Sequence, residues 1–156
     1  MLADVVVDTD VLMHADNEDS ADRDASRDLI ARLRASATAL CFDPGFDLDE
    51  ARNKSGIAGE YFDHLAHGSV GLALVEECAL TGRVRSIATR VAPDVNRAIR
   101  QLVWDPTDHK FVKVAINSEE RVLVTHNTSH IEPAAVDLKA RWRVDVVDAY
   151  ACCARL

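Results

Sequence analysis

The chain alternates short apolar runs with longer stretches in which apolar residues recur every third or fourth position, the pattern of strands separated by helices. Val5-Val6-Val7 reads as a buried strand. From about Ser20 to Ser36, Ala21, Ala25, Leu29 and Leu33 recur at helical spacing while Arg23, Arg27 and Asp28 lie off that stripe, which predicts a helix shielding one sheet face. Ala39-Leu40-Cys41-Phe42 reads as a second strand, stopped by the turn-forming Asp43-Pro44-Gly45. Asp47 to Asn53 then leads into a mostly helical middle, with helices near Ala58 to Leu65 and Val70 to Leu80 and another opening at Pro93 and ending near Val103. Asp105-Pro106-Thr107-Asp108 opens a helix to about Ser118, followed by a strand from Val122 to Thr125, a helix from about Pro133 to Trp142 and a strand from Val144 to Val147. With no repeat and no Pro/Gly/Ser-rich linker, this is one α/β layer domain over residues 1–156.

Composition narrows the function classes. With 156 residues and 48% hydrophobic content the chain is long enough for a well-packed core. No apolar run is long enough for a bilayer, and Met1-Leu2-Ala3-Asp4 lacks the basic region of a secretory signal, so a cytoplasmic protein with no membrane partner is expected. Cys41, Cys78, Cys152 and Cys153 show no Cys-x-x-Cys spacing, which points to reduced, buried thiols. The net charge of −8 argues against sequence-independent coating of nucleic acid. Charge is nevertheless segregated: Arg83, Arg85, Arg90, Arg97 and Arg100 face only Asp94, whereas Asp4 to Asp28 is strongly acidic. The arginine stretch is therefore the candidate phosphate-contacting surface, with solvated helix faces as the plainer alternative.

The chemistry resides in acids placed just beyond strands or at helix starts: Asp8 after Val5-Val6-Val7, Glu50, Asp108, and with them Asn127 just after the strand ending at Thr125. Such positions gather at one edge of a parallel sheet. Two carboxylates about 4 Å apart cost roughly 4 kcal/mol at an effective dielectric of about 20, so the group must protonate, spread apart or bind a cation.

Val5-Val6-Val7-Asp8-Thr9-Asp10-Val11-Leu12, Asp105-Pro106-Thr107-Asp108 running to Ala115, and Leu123-Val124-Thr125-His126-Asn127 resemble, in order and separation, three blocks of PIN-domain nucleases. A fourth block, Cys41 to Gly45 running to Asp49-Glu50-Ala51-Arg52-Asn53, is similar to a strand, turn and glutamate-bearing helix start in some PIN-like proteins. The resemblance spans the chain. It implies a three-layer α/β sandwich with a central, mainly parallel sheet flanked by helices. It further implies Asp8, Glu50 and Asp108 as metal-site acids holding Mg²⁺ or Mn²⁺, Asp105 as an accessory acid, and single-stranded RNA as substrate. Thr9 and Thr125 would add hydrogen bonds. A toxin's antitoxin or another regulatory protein, and a homodimer, are the partners it leaves open. Asn127 departs from the family's usual aspartate and Asp10 from its commoner asparagine, so one acid is lost and another gained nearby.

Plainer roles stand beside these. Asp105 suits a helix N-cap with Pro106 in the first turn, Asp108 the same turn, and Asn127 a simple turn. A glutamate at position 50 is ordinary in a first helical turn, and Asp47 or Asp49 could take its place. His126 and His130 straddle a strand end, which argues against a zinc site, and His14 and His109 read as rim residues. Trp104 and Trp142 read as packing residues, and 5% aromatics does not suggest stacking-driven binding of single strands. Two other function classes compete with the nuclease: a PIN-like binding module that lost catalysis with the acid at 127, and an aspartate-nucleophile phosphatase of the haloacid dehalogenase class. The latter is suggested by Asp8-Thr9-Asp10, but no later lysine is clearly placed to hold a phosphate.

Overall fold

The computed structural model describes residues 1–127 and 129–156. Strands β1 (Asp4–Val7), β2 (Ala39–Phe42), β3 (Val84–Ser86), β4 (Val122–Val124) and β5 (Asp145–Val147) form one parallel sheet in the order β3-β2-β1-β4-β5. The three central strands are buried at every residue, which is why each is apolar throughout except for Asp4 at the start of β1. The edge strands β3 and β5 are only partly buried and carry Arg85 and Asp145. With a single apolar residue in Val84-Arg85-Ser86, β3 left no strand pattern in the sequence.

The chain winds outward from β1 to β2 and β3, then returns to lay β4 on the other side of β1. Right-handed crossovers put the helices of these two excursions on opposite faces. On one face α2 (Arg23–Ala35) packs against α4 (Val70–Leu80) and the C-terminal α8 (Ala149–Cys153). On the other, α6 (His109–Asn117) lies across β1, β2 and β4 beside α5 (Pro93–Leu102), with α7 (Ala135–Trp142) against β5. This is the three-layer α/β sandwich. Two short helices close the rim: α1 (Thr9–His14) leaves the end of β1, and α3 (Gly56–His64) touches both α1 and α6. Glycine is required where α4 meets α1, because a Cβ on Gly71 would lie 2.9 Å from Leu12 Cβ.

The expected helices are present with shifted ends. The buried stripe of α2 is Ser26, Leu29, Ile30 and Leu33, so the segment before Arg23 is not helical and Ala21 lies outside it. The helix expected from Ala58 begins at Gly56, because Ser55 caps it by accepting from Ala58 N at 3.1 Å. Helices α1 and α8 are too short for their periodicity to show in the sequence.

At the N-terminal edge of the sheet the fully buried Asp4 carboxylate accepts from Arg85 at 2.9 Å and from the backbone N–H groups of Glu119 and Glu120 at 3.2 and 3.0 Å. It ties β1, β3 and the end of α6 together. All four cysteines are buried and free. Among the described residues no helix is long and apolar enough to cross a membrane.

Candidate functional site

The order of strands reverses between β1 and β4, and in open α/β sheets ligands bind beyond the carboxyl ends of the strands at that crevice. Asp8 leaves β1 there. Its N–H donates to the Val124 carbonyl at 2.8 Å, which fixes the backbone to β4. Its Oδ1 accepts from Thr9 N at 2.7 Å, capping α1, and its Oδ2 accepts from the Thr125 hydroxyl at 2.8 Å. Each carboxylate oxygen thus uses one lone pair within the protein and keeps another for a ligand.

Asp108 arrives from the opposite layer. The Asp105 carboxylate accepts from Thr107 N at 2.9 Å and its hydroxyl at 2.8 Å, forming the cap expected of it and starting the 3-10 turn Pro106–Asp108 that runs into α6. Buried Asp108 follows without a capping bond of its own. Its Oδ2 lies 3.3 Å from both His130 Nδ1 and Asn127 Nδ2. Ligand atoms of Asp105, Asp108 and His130 all fall within 4.8 Å of one another. Asp8 stands outside that tight set, near enough for Asp108 to raise its pKa. His126 does not converge on His130: its Nε2 meets the Ser26 hydroxyl at 3.1 Å in the other helical layer.

Asn127 takes the turn role. Its Oδ1 accepts from the backbone N–H of Ser129 at 3.2 Å and of His130 at 2.8 Å. Those partners can only donate, so they fix the amide orientation and turn Nδ2 toward Asp108. Asn127 therefore meets Asp108 as a hydrogen-bond donor, while its amide oxygen is engaged by the backbone of the turn that follows.

The third acid beside Asp8 and Asp108 is Glu60 on α3. Its Oε1 accepts from the Thr9 hydroxyl at 2.6 Å and its Oε2 pairs with Lys110, whose ammonium also donates to the Thr107 carbonyl at 2.7 Å. Glu50, expected here, is exposed in an irregular turn and lines a separate hollow with Leu48, Phe62 and Leu80. The segment from Asp47 to Asn53 closes on itself through its own side chains: Asp49 N–H donates to Asp47, and Ala51 N–H donates to Asp49. It never starts the helix that would have aimed Glu50 at the cluster. Asp43 does that work instead, accepting from Ser55 Oγ, Gly56 N and Ile57 N at 2.6 to 2.9 Å, and so anchors the helix that carries Glu60. A cue was present in the sequence: Glu60 stands beside the buried positions Ile57, Ala58 and Tyr61, at the border of an apolar stripe.

Asp10 completes the group. It accepts from His126 N at 3.1 Å, beneath an edge-on pair of the His14 and His126 rings. Burial, then Asp10, and further Asp108 and Glu60, push Asp8 up to about 8 despite the Thr125 hydrogen bond. Burial likewise raises Asp10, and burial with Asp105 raises Asp108. Excess negative charge held out of water is the property a divalent cation relieves, and a mainly carboxylate donor set, with the His130 nitrogen at its edge, suits Mg²⁺ or Mn²⁺. Compared with protein-family models, curated proteins and solved structures, the chain gives no match.

The arginine stretch divides. Arg83 donates to the Leu33 and Ser36 carbonyls and pairs with Glu77, and Arg85 is held by Asp4 and Glu119, so both serve the fold. Arg90, Arg97 and Arg100 are exposed and carry no ion pair among the described residues. Of the five, Arg100 lines an open cleft of about 620 Å³ that also includes Lys110, the partner of Glu60. That lysine is the residue the phosphatase reading lacked, although its ammonium is taken by Glu60 and Thr107.

Proposed function

We propose that this protein is a metal-dependent nuclease of the cytoplasm that hydrolyses phosphodiester bonds of single-stranded RNA, using Mg²⁺ or Mn²⁺ held by Asp8 and Asp108. One observation carries this reading: buried Asp8 and Asp108 and half-buried Asp10 gather at the switch point of a parallel sheet, where burial raises the pKa of all three and Asp10 and Asp108 raise that of Asp8 further. When bound, the cation supplies charge neutralisation at the scissile phosphate and a lower pKa for the attacking water. Thr9 N and the Thr125 hydroxyl hold the Asp8 carboxylate in one orientation, and Asn127 and His130 do the same for Asp108. Glu60, fixed by Thr9 and Lys110, is placed to orient a water and accept its proton, while Lys110 offers positive charge to a phosphate. The water oxygen bonds to phosphorus, the bond from phosphorus to the 3′ oxygen breaks, and that oxygen takes a proton, leaving a 5′-phosphate and a 3′-hydroxyl. The choice of RNA rests on the resemblance of three sequence blocks to PIN-domain nucleases, and the cytoplasm on four free, buried thiols.

The test is cleavage of labelled single-stranded RNA by purified protein with Mn²⁺, with Mg²⁺ and with chelator, together with Asp8→Asn and Asp108→Asn. Metal-dependent products bearing 5′-phosphates, absent in both variants, are expected. Chelator-resistant cleavage or 2′,3′-cyclic phosphate ends would overturn the reading. An RNA-binding module without catalysis is favoured by one feature, the Lys110 ammonium already compensating Glu60, and protein that binds RNA but never cleaves it with either metal would select it.

A further inference from the structure

The cleft beside the acids is basic in a protein of net charge −8. Arg100 reaches it from α5 and His109, Lys110 and Lys113 from α6, while its acid, Asp43, is engaged by Ser55 and by the first N–H groups of α3. Neither Arg100 nor Lys113 has an ion-pair partner among the described residues. His109 is held by the Val103 carbonyl at 2.7 Å. On the same wall stands Trp104, 77% exposed, on the connection between α5 and the 3-10 turn. A packing role, expected from the sequence, is thereby excluded for Trp104, while Trp142 does pack against the core.

Trp104 is also tied to the acids. Its ring lies 4.9 Å from the His130 ring, and His130 Nδ1 is 3.3 Å from Asp108 Oδ2. At the other end of the cleft wall, Lys110 joins the basic lining to Glu60. An exposed indole, unpaired cations along one groove and a carboxylate cluster at its end form the combination that holds a single strand: a flat face for a base, positive charge for the backbone, and acids beyond. A local positive region also resolves how an acidic protein attracts a polyanion.

We propose that this cleft is the binding track for single-stranded nucleic acid, with a base stacked on Trp104 and successive phosphates on Arg100 and Lys113, and with Lys110 passing the strand to the acids. It rests on the nuclease reading for the identity of the strand, but binding can be measured without cleavage. A duplex presents no free base face to the indole, so the track selects unpaired strands.

The experiment uses Trp142→Phe protein, in which Trp104 is the remaining tryptophan, with uridine and adenosine octamers in chelator at low salt. Binding is followed by tryptophan fluorescence and by anisotropy of labelled RNA. Quenching of Trp104 by single strands and not by the matching duplex is expected. Trp104→Ala should weaken binding roughly fivefold to a hundredfold, with Trp104→Tyr restoring much of it. Arg100→Gln and Lys113→Gln should each weaken binding and reduce the slope of log affinity against log salt by about 0.7. Absence of quenching, or unchanged affinity and slope in these variants, overturns the proposal, as does equal quenching by duplex. Because the assay contains no metal, quenching without any later metal-dependent cleavage would remove the nuclease reading and leave the track. Metal-dependent cleavage indifferent to Trp104→Ala and Arg100→Gln would do the reverse.

Discussion

Replacing Asp8 by asparagine separates the chemical role of this carboxylate from its cost to the fold. Burial and neighbouring acids raise its pKa from an ordinary 3.8 to about 8, so the native state binds this proton more tightly than the unfolded chain does. The associated stability is complete below about pH 4 and is lost as pH rises toward 8. At about 1.4 kcal/mol per pH unit, the metal-free fold at pH 7 carries a penalty on the order of 4 kcal/mol. Asp10, which burial also raises, can hold the proton in place of Asp8, so about half of this penalty, roughly 2 kcal/mol or a little more, is assigned to Asp8. Asparagine keeps the cap through its Oδ1. It turns Nδ2 toward a Thr125 hydroxyl that already accepts from Asn127 N at 2.9 Å, at a cost of about 0.5 to 1 kcal/mol. Asp8→Asn should therefore be more stable than the parent in chelator at pH 7 by about 1 to 2 kcal/mol, or roughly 2 to 8 °C in Tm. The advantage should grow toward pH 8 and reverse near pH 4, where the electrostatic gain is gone and the hydrogen-bond cost of about 0.5 to 1 kcal/mol remains. Urea unfolding of both proteins across that range is the assay. Saturating Mg²⁺ or Mn²⁺ should reverse the order, since a ligand at a hundred times its Kd adds about 2.7 kcal/mol to the form that binds it. A variant less stable than the parent at pH 8 in chelator would show that Asp8 is not electrostatically burdened, and with it the argument for a cation would go.

Glu60→Gln should abolish metal-dependent cleavage, whereas Glu50→Gln should leave rate and metal affinity unchanged, as paired cleavage assays would show. Asn127→Asp should keep its turn through one carboxylate oxygen and direct the other at Asp108, so calorimetry should show tighter Mn²⁺ binding with metal and lower Tm in chelator. Arg85→Gln should cost about 1 to 2 kcal/mol by depriving buried Asp4 of its charged partner, with no change in RNA affinity or its salt dependence. If Arg85→Gln instead weakened RNA binding, its assignment to the fold would fail.

The sequence revealed what depends on local pattern. Strands β1, β2 and β4 are buried on both faces, and their apolar runs, with Asp8 at the end of one, could hardly be read otherwise. Asp105 and Asp108 were legible because Asp-Pro at a helix start carries its own geometry. The misplaced glutamate had a different cause. Choosing between Glu50 and Glu60 requires knowing that Asp43 grips the N-terminus of α3 from the end of β2, a contact across a turn that residue spacing does not encode. The orientation of Asn127 was not legible for a similar reason, since only the partners of its amide oxygen decide which end of the side chain faces Asp108. Among the arginines, net charge could not separate Arg83 and Arg85, spent on internal carbonyls and acids, from Arg100.

The acids at positions 8, 60 and 108 lie just after β1, on α3 and in the 3-10 turn before α6, and β4, the strand that positions Thr125 against Asp8, follows them all. During synthesis β1 is made early yet cannot find its second neighbour until most of the chain has emerged. A ribosome-bound intermediate therefore displays β1 and β2 with their hydrophobic faces but not an assembled carboxylate cluster. The cluster also contributes repulsion rather than attraction as it closes, so its formation belongs late on the folding path. A cation that joins it should slow unfolding and leave the folding rate nearly unchanged. The last event of folding and the first event of chemistry would then share one step, the closing of the acids around a cation that relieves their repulsion.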